Sequence, residues 1–507
     1  MTHIFNNPES FDEDSLNGFC KIHKDLVRPV VGGVVRRNPG AKGKVAVLYG
    51  GGSGHYPIFY GLVGPGMADG AVVGNIFTSP SAHYGYSVAR AANRGGGVIF
   101  AYGNYAGDVM NFQLAGEQLR AEGIDARQVV ITDDVLSAGV DEIEKRRGIA
   151  GDLVVFKILA AAADTGADID EVERLGRLAN DRTRSIGVAF SGCTMPGADH
   201  PLFTVEPGTI AVGLGLHGEP GLESVPMEPA NELAKRLVSR LLEEAPVPSG
   251  RVGAILNGLG ATKYEELFVL WNDIQPLLED AGYEVVDPEV GELATSLDMA
   301  GLSLTLVWLN EELAPLWKAP AYSAAFRKGA VIAASAGAMD EAETAAAEIQ
   351  FTPGTPESQR AAKQTAAGIG RALDAIRRAE DELGRLDAVA GDGDHGRGML
   401  RGIVAADTAA KAALPDGAGV GTLLNCAGAA WAADAGGTSG VLWGSALRAA
   451  GAVLGDSSGV GLGDIADAAE AFTSTLARLG KVSLQDKTMY DAAVPAAASL
   501  RAAAEHG

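Results

Sequence analysis

The chain carries two glycine-rich segments that each lead into a histidine. The first, Gly50-Gly-Gly-Ser-Gly-His55, follows a short apolar run, and a turn without side chains lets backbone N–H groups close around a small polar ligand. It does not match the Walker A pattern, because no lysine follows. The segment predicts a ligand site with His55 at its mouth. The alternative is a tight strand-to-helix turn that carries a solvated histidine.

The second segment, Gly213-Leu-Gly-Leu-His217-Gly-Glu-Pro220, satisfies the dinucleotide pattern GxGxxG. Pro220, Pro226 and Pro229 nevertheless argue against the helix that this fingerprint has to open, so we reject a dinucleotide site. What remains is a histidine at a strand end among small neighbours. Its imidazole could act as an acid, a base or a nucleophile, and a structural histidine is the alternative.

Asp108 closes the segment Asn104-Tyr-Ala-Gly-Asp108, which follows a second apolar run near 97–102. Ligands of open α/β sheets collect at the carboxyl edge of the strands, so His55 and Asp108 are expected to share a pocket there. A hydroxyl held in that pocket could pass its proton to either side chain. Taken alone, an aspartate at this position could also cap the following helix.

Three carboxylates, Asp387, Asp392 and Asp394, fall within one glycine-broken stretch, Asp387-Ala-Val-Ala-Gly-Asp-Gly-Asp394. Such carboxylates repel one another unless a cation joins them, and an all-oxygen set suits Mg²⁺, which completes its shell with water and phosphate. A solvated acidic helix cap is the alternative. Two further segments, Ala435-Gly-Gly-Thr-Ser-Gly440 and Gly480 with Asp486-Lys-Thr-Met489, are expected near helix starts, where the helix dipole favours phosphate.

Four segments, in order, resemble the substrate domain of dihydroxyacetone kinases: Gly50–His55, Asn104–Asp108, Ser191-Gly-Cys-Thr-Met-Pro-Gly197 and Gly215–Gly221. The resemblance implies that His217 forms a covalent hemiaminal with the ketone carbon of the substrate, while His55 and Asp108 assist the hydroxyl that is phosphorylated. It also implies that Gly52, Ser53, Gly54 and Gly103 contact the substrate. A polyol such as glycerol cannot form the covalent bond, so selectivity would come from reactivity.

The later segments resemble the ATP-binding helical domain of the same kinases. The resemblance implies that Asp387, Asp392 and Asp394 hold two Mg²⁺ ions on the ATP phosphates. The remaining nucleotide contacts that it implies are Gly393, His395, Thr438, Ser439, Gly480, Thr488 and Met489, together with Asp392 and Asp394. A homodimer, in which each helical domain could serve the partner's substrate site, is the expected assembly.

Two departures from the family pattern carry consequences. Gly103 stands where many dihydroxyacetone kinases have a lysine, which leaves room for a longer ketose, so a tetrulose such as erythrulose competes with dihydroxyacetone as the substrate. The sequence ends at Gly507, before the last helix and tail that usually close the nucleotide pocket, which puts ATP affinity in question. An FAD-splitting cyclase and a non-catalytic ketose sensor are the competing functions.

The elements that position these residues follow from the pattern of the chain. Apolar, mostly β-branched runs near 44–49, 97–102, 129–132, 209–212, 251–256 and 303–308 alternate with helical stretches, which predicts an α/β domain of two α/β subdomains over 1–329 with substantial parallel pairing. Residues 330–356 contain turn and breaker residues typical of a linker. Residues 357–507 are rich in alanine and indicate an all-α nucleotide-binding domain, with helices near 359–386, 402–413, 464–479 and 489–505.

Composition excludes several classes of protein. A length of 507 residues at roughly 100–200 residues per domain indicates two or three domains, and a net charge of -23 gives no attraction for nucleic acid or an anionic membrane. Three cysteines without close spacing suggest neither a disulfide framework nor a zinc site, which fits the cytoplasm. The sequence shows neither a secretion signal nor an apolar run long enough to span a bilayer.

Overall fold

A computed structural model describes residues 4–329, 351–389, 393, 395–435 and 437–506, and leaves the side chains of 437–439 undescribed. The chain divides into two compact units, Met1–Ser335 and Ala336–Gly507. None of the helices within these ranges is both long enough and apolar enough to cross a membrane.

The first unit contains all fifteen strands of the described ranges, eight α-helices and three short 3₁₀ helices. The strands are β1 Val27–Val30, β2 Gly33–Arg36, β3 Ala46–Ser53, β4 Gly70–Ile76, β5 Val98–Gly103, β6 Ala126–Ile131, β7 Thr183–Ala189, β8 Thr209–Val212, β9 Glu223–Pro226, β10 Gly250–Gly258, β11 Tyr283–Val285, β12 Glu289–Gly291, β13 Gly301–Leu309, β14 Ala321–Tyr322 and β15 Arg327–Lys328. The helices are α1 Phe11–Ile22, α2 Ala82–Ala92, α3 Ala106–Ala121, α4 Asp152–Asp164, α5 Ile169–Asp181, α6 Ala230–Leu242, α7 Tyr264–Asp280 and α8 Leu313–Lys318.

The first sheet has the order β1-β2-β4-β3-β5-β6 and is parallel from β4 to β6. Successive residues of β3 point to opposite faces: Leu48 packs in one core with α2 and α3, whereas Tyr49 packs in another with α4. The Tyr49 ring stacks on Phe156 of α4 at 3.9 Å between ring centroids. Helices on both faces leave the carboxyl edge of the strands open for a ligand.

The second sheet has the order β11-β10-β13-β7-β8-β9, with β12 beside β10. Four of its strand pairs, from β10 through β13, β7 and β8 to β9, are antiparallel. The predicted parallel pairing therefore holds in the first sheet but not along this path, because an apolar run buried on both faces has the same pattern in either direction. Helices α6 and α7 cover one face, and residues of the other face join the core that contains α4.

The second unit contains six helices and no strand in its described residues: α9 Pro356–Asp387, α10 His395–Ala413, α11 Val420–Ala435, α12 Gly437–Leu454, α13 Leu462–Gly480 and α14 Tyr490–His506. Its core is built largely from alanine, with Trp431 as the largest buried side chain. Helices α11 and α12 approach closely at glycines; a Cβ at Gly428 would lie 2.5 Å from the carbonyl oxygen of Gly444. An α/β domain followed by an all-α domain confirms the predicted fold class.

Candidate active site

A cavity of about 450 Å³ lies at the carboxyl ends of β3 and β5. The side chains of His55, Asp108 and His217 line it, although they come from three distant parts of the chain. The predicted substrate contacts Gly52 and Gly103 also line it, whereas Ser53 and Gly54 line a neighbouring cavity. The Ser53 hydroxyl donates a hydrogen bond to the carbonyl of Gly74 at 2.7 Å. The structure therefore brings together most, but not all, of the substrate residues that the sequence indicates.

The glycines of the first segment are needed because of close packing on three sides. A Cβ at Gly50 would lie 2.3 Å from the Phe112 ring, and one at Gly51 would lie 2.3 Å from the Phe59 ring. At Gly52 a Cβ would lie 2.7 Å from the backbone nitrogen of Thr78. Any larger residue would push the loop away from its neighbours, so this part of the cavity wall has to be bare backbone.

The two histidines meet at their Nε2 atoms, which are 2.9 Å apart. His55 Nδ1 lies 2.7 Å from the carbonyl oxygen of Thr295, which can only accept, so Nδ1 donates and Nε2 carries the lone pair. Burial, followed by the charge of His217, lowers the pKa of His55 to about 3, so this ring stays neutral. The short contact between the rings therefore contains a proton that belongs to His217.

Glu219 fixes the other side of the His217 ring. Its Oε1 lies 3.0 Å from His217 Nδ1, and its Oε2 accepts from the backbone N–H of His217 at 3.0 Å. Burial raises the pKa of Glu219, but the hydrogen bonds and charge of His217 outweigh it and lower this pKa to about 2. Glu219 is thus an ionised acceptor, and His217 donates from both ring nitrogens. A Cβ at Gly215 would lie 2.1 Å from Oε2, so glycine there makes room for the carboxylate.

Aromatic rings hold the His217 imidazole from two further directions. The rings of Phe77 and Tyr105 stand nearly perpendicular to it, with centroids 5.2 Å and 5.3 Å away. The Tyr105 hydroxyl donates to the carbonyl of Gly148 at 3.2 Å, which anchors that ring. The imidazole is therefore restricted to one orientation before any ligand binds.

Asp108 lies in the first turn of α3 and is 8% exposed. Burial raises its pKa to about 6, against the opposing effects of the Ser79 hydroxyl and the charge of His217. Its Oδ1 has no hydrogen-bond partner among the described residues. A carboxylate of this kind can accept a proton from a substrate hydroxyl near neutral pH.

In the second unit, Asp387 ends α9, and its Oδ2 accepts from the backbone N–H of Gly393 at 2.9 Å. His395 is the first residue of α10. The other two carboxylates of the predicted metal set, Asp392 and Asp394, lie outside the described residues. Asp387 is therefore the described member of the predicted metal set, and its carboxylate oxygens suit a hard cation such as Mg²⁺.

The remaining nucleotide candidates are spread over three helix ends. Thr438 and Ser439 lie in the first turn of α12, and their side chains are outside the described set. Gly480 is the last residue of α13, so the expectation that it lies near a helix start is wrong; Lys481 follows in the left-handed conformation that ends a helix. Thr488 and Met489 directly precede α14, and the Thr488 hydroxyl accepts from a backbone N–H of that helix.

Comparison with known proteins identifies the family of this chain. Residues 17–325 match the family model described as the Dak1 domain, and residues 389–507 match the DAK2 domain. A D-erythrulose kinase of Mycolicibacterium smegmatis is 54% identical over 500 residues, which cover 98% of this chain and 86% of the relative. The chain belongs to the dihydroxyacetone kinase family. The prediction made from its short segments is confirmed.

Two other members of the dihydroxyacetone kinase family extend the comparison. An L-erythrulose kinase of Pectobacterium atrosepticum is 51% identical over an alignment that covers 100% of this chain and 86% of the relative. The crystal structure of the dihydroxyacetone kinase from C. freundii in complex with AMP-PNP and Mg²⁺ has a TM-score of 0.65 at 28% identity and covers 99% of this chain and 91% of that chain. Both domains of this member are therefore shared with relatives along most of their length.

Sequence reasoning missed three residues of the site in this dihydroxyacetone kinase family member. Glu219 stands two positions after His217, and its place in the same glycine-rich segment could have identified it. Tyr105 and Asp152 line the cavity without a pattern of their own. Asp152 follows a glycine at the start of an apolar helix, which sequence alone interprets as a helix cap.

Proposed function

We propose that the protein is an ATP-dependent kinase that phosphorylates a terminal hydroxyl of a small ketose, with erythrulose and dihydroxyacetone as the candidate substrates. The observation that carries this proposal is the convergence of His217, His55 and Asp108 on one cavity, with His217 held by Glu219. The names of the relatives as erythrulose kinases support the substrate class.

His217 is the residue proposed to capture the ketose. The Nε2–H bond of His217 breaks first, which frees the lone pair of Nε2. As Nε2 then bonds to the ketone carbon, the carbonyl π bond breaks, and the released proton, which lay between the two imidazoles, ends on the carbonyl oxygen, which becomes a hydroxyl. The ring keeps its positive charge and its Nδ1 hydrogen, and Glu219 balances that charge at 3.0 Å. Glycerol lacks a carbonyl and cannot be held in this way.

Asp108 is the residue proposed to activate the hydroxyl, with His55 as its neighbour in the cavity. The hydroxyl proton passes to the Asp108 carboxylate as the oxygen bonds to the γ-phosphorus of ATP and the bond to the β-phosphate oxygen breaks, which releases ADP. The proposed contacts of the ketose also include Gly52 and Gly103, which line this cavity, whereas Ser53 and Gly54 would contact it only from the neighbouring cavity. Positioning of the captured ketose supplies much of the rate.

The helical domain, proposed to span 357–507 after a linker over 330–356, is the proposed ATP site. Asp387, Asp392 and Asp394 would hold two Mg²⁺ ions, which when bound neutralise charge on the ATP phosphates. Gly393, His395, Thr438, Ser439, Gly480, Thr488 and Met489 complete the proposed nucleotide contacts. The complex of the C. freundii kinase with AMP-PNP and Mg²⁺ supports this choice of nucleotide and metal. A homodimer is the proposed assembly, and light scattering tests it.

ADP release, measured with dihydroxyacetone, D-erythrulose, L-erythrulose and glycerol, tests the proposed activity. We expect turnover of at least one ketose, none of glycerol, and loss of turnover in His217→Ala. ¹³C NMR with a ketose labelled at the carbonyl carbon should show the ketone signal replaced by one of a tetrahedral carbon in the wild type alone. Turnover of glycerol at the rate of the ketoses would refute the capture step. Ketose binding without turnover, unchanged in Asp392→Ala, would instead indicate a sensor.

A further inference from the structure

Asp152 is a buried carboxyl group that no step of the proposed reaction uses. It is the first residue of α4, is 4% exposed, and lines the same cavity as His217 and Asp108. Its Oδ1 has no hydrogen-bond partner in the described part of the chain. Of the buried polar side-chain atoms that line this cavity, within the described residues, only Asp152 Oδ1 and Asp108 Oδ1 lack a hydrogen-bond partner.

The backbone at the start of α4 is already hydrogen-bonded without the Asp152 side chain. The Asp133 carboxylate accepts from the N–H groups of Ile149 and Gly151 in the preceding turn, each at 2.9 Å, and the N–H groups of the first two helical residues donate to backbone carbonyls of that turn. The Asp152 side chain makes no such bond. Burying an unpaired carboxyl group costs free energy, and no hydrogen bond from the described residues offsets that cost, which indicates that its partner is a ligand.

The space beside Asp152 is kept open by two glycines at the cavity wall. A Cβ at Gly103 would lie 3.3 Å from Asp152 Oδ2, and one at Gly148 would lie 2.7 Å from Oδ1. Side chains at either position would cover the carboxyl group or displace it. Both glycines line the cavity, so the carboxyl group and the space next to it form one recess in the wall.

The acids around Asp152 determine which kind of partner it takes. Burial, followed by the charges of Asp133 and Asp108, raises the pKa of Asp152 well above that of an ordinary aspartate. A protonated carboxyl group both donates and accepts a hydrogen bond, as does an alcohol. A hydroxyl group therefore matches Asp152, and a second anion or an apolar group does not.

We propose that Asp152 is a specificity-determining residue, which hydrogen-bonds the additional hydroxyl that a four-carbon ketose has and dihydroxyacetone lacks. This inference rests on the proposed kinase function and names the substrate class of its site. A cavity built to bond a hydroxyl discriminates strongly against an analogue without it, because the buried group is then left unpaired. The protein should accordingly prefer erythrulose to dihydroxyacetone.

The test compares kcat/KM for erythrulose and for dihydroxyacetone in the full chain and in three variants. Asp152→Ala should lower the value for erythrulose by roughly 10- to 100-fold and that for dihydroxyacetone by less than about threefold. Asp152→Asn retains a donor and an acceptor of the same size and should keep most of the preference. Asp168→Ala is the control. It removes the exposed N-cap residue of α5, the side chain of which accepts from the backbone N–H of Glu171, and it should leave the ratio of the two kcat/KM values unchanged.

The ratio of the two substrates separates a specificity role from a structural one. An equal fall for both ketoses in Asp152→Ala, with a lowered Tm, would overturn the inference, as would an unchanged ratio. If Asp152→Ala does not fold, an unchanged preference in Asp152→Leu, which fills the recess without a hydrogen bond, would also overturn it. Absence of ketose turnover in the wild type would instead refute the proposed function, so the two failures are distinguishable.

Discussion

Replacing Glu219 with Gln tests the proposed capture of the ketose most directly. The amide keeps the shape of the carboxylate, and its oxygen can still accept from His217 Nδ1, which lies 3.0 Å from Glu219 Oε1. Its NH₂ group then faces the backbone N–H of His217, from which Oε2 accepts in the wild type, so one hydrogen bond is lost as well. It cannot balance the positive charge that the imidazole keeps when Nε2 bonds to the ketone carbon. The change therefore removes one electrostatic contribution while the cavity retains its shape.

The pKa of Glu219 sets the size of the effect. Its fall from 4.5 to about 2 corresponds to roughly 3 kcal/mol of interaction with the ionised form. The amide retains part of the hydrogen bonding, so we expect a loss of about 1.5 kcal/mol, or roughly tenfold in kcat/KM. The sign for stability follows from the lowered pKa: the contribution of Glu219 is complete above pH 4.5 and is lost as the pH falls to about 2.

The assay is steady-state ADP release with erythrulose at pH 7.5, together with the ¹³C signal of the captured ketose. Glu228→Gln is the matched control, because Glu228 pairs with Arg236 at 2.8 Å in the same unit and does not line the cavity. We expect that control to keep wild-type kinetics. Wild-type kcat/KM and full capture of the ketose in Glu219→Gln would show that the carboxylate does not support the imidazolium.

Three further predictions concern other parts of the molecule. Burial raises the pKa of Asp108 to about 6, and the proposed base has to be ionised, so kcat/KM should rise with pH through about 6 and then level off. Asp108→Asn should abolish this rise. Because the buried Asp108 is charged at pH 8 and neutral at pH 4, the same variant should increase Tm at pH 8 but not at pH 4. Gly148→Ala places a Cβ 2.4 Å from the Cα of Gly103 and should cost ~1–3 kcal/mol of unfolding free energy. Its control is Gly139→Ala, whose Cβ meets no described atom within 4 Å and which should change Tm little. Equal Tm values for the two variants would contradict the packing argument. Arg146 is fully buried and donates to both oxygens of Glu244 at 2.7 and 2.8 Å. Arg146→Ala should therefore lower the free energy of unfolding, measured with a denaturant, by ~3–5 kcal/mol. A decrease below ~1 kcal/mol would refute a structural role for the pair.

The strands that carry the site could be predicted closely because apolar runs between glycines have few alternatives. The run near 97–102 corresponds to β5, and that near 209–212 coincides with β8. The start of α10 is harder to predict: it begins at His395, although the sequence indicates a helix only from about 402. The glycines at 396, 398 and 402 lower helix propensity there, and packing against neighbouring helices overrides that tendency.

The site could be predicted where its residues follow strand ends, and it could not where contacts cross the chain. The expectation that His55 and Asp108 share a cavity follows from the geometry of parallel strands, and the structure brings them together. The 2.9 Å contact of His55 with His217 joins residues far apart in the sequence and depends on how two sheets pack. Asp152 is recognisable as a ligand group only after the backbone at the start of α4 is seen to be hydrogen-bonded without its side chain.

The shared proton between the two imidazoles has a consequence for how the ketose binds. In the proposed capture that proton ends on the former carbonyl oxygen, so the step neither takes a proton from the solvent nor gives one up. The heat of binding measured by calorimetry should then be the same in buffers of different ionisation enthalpy.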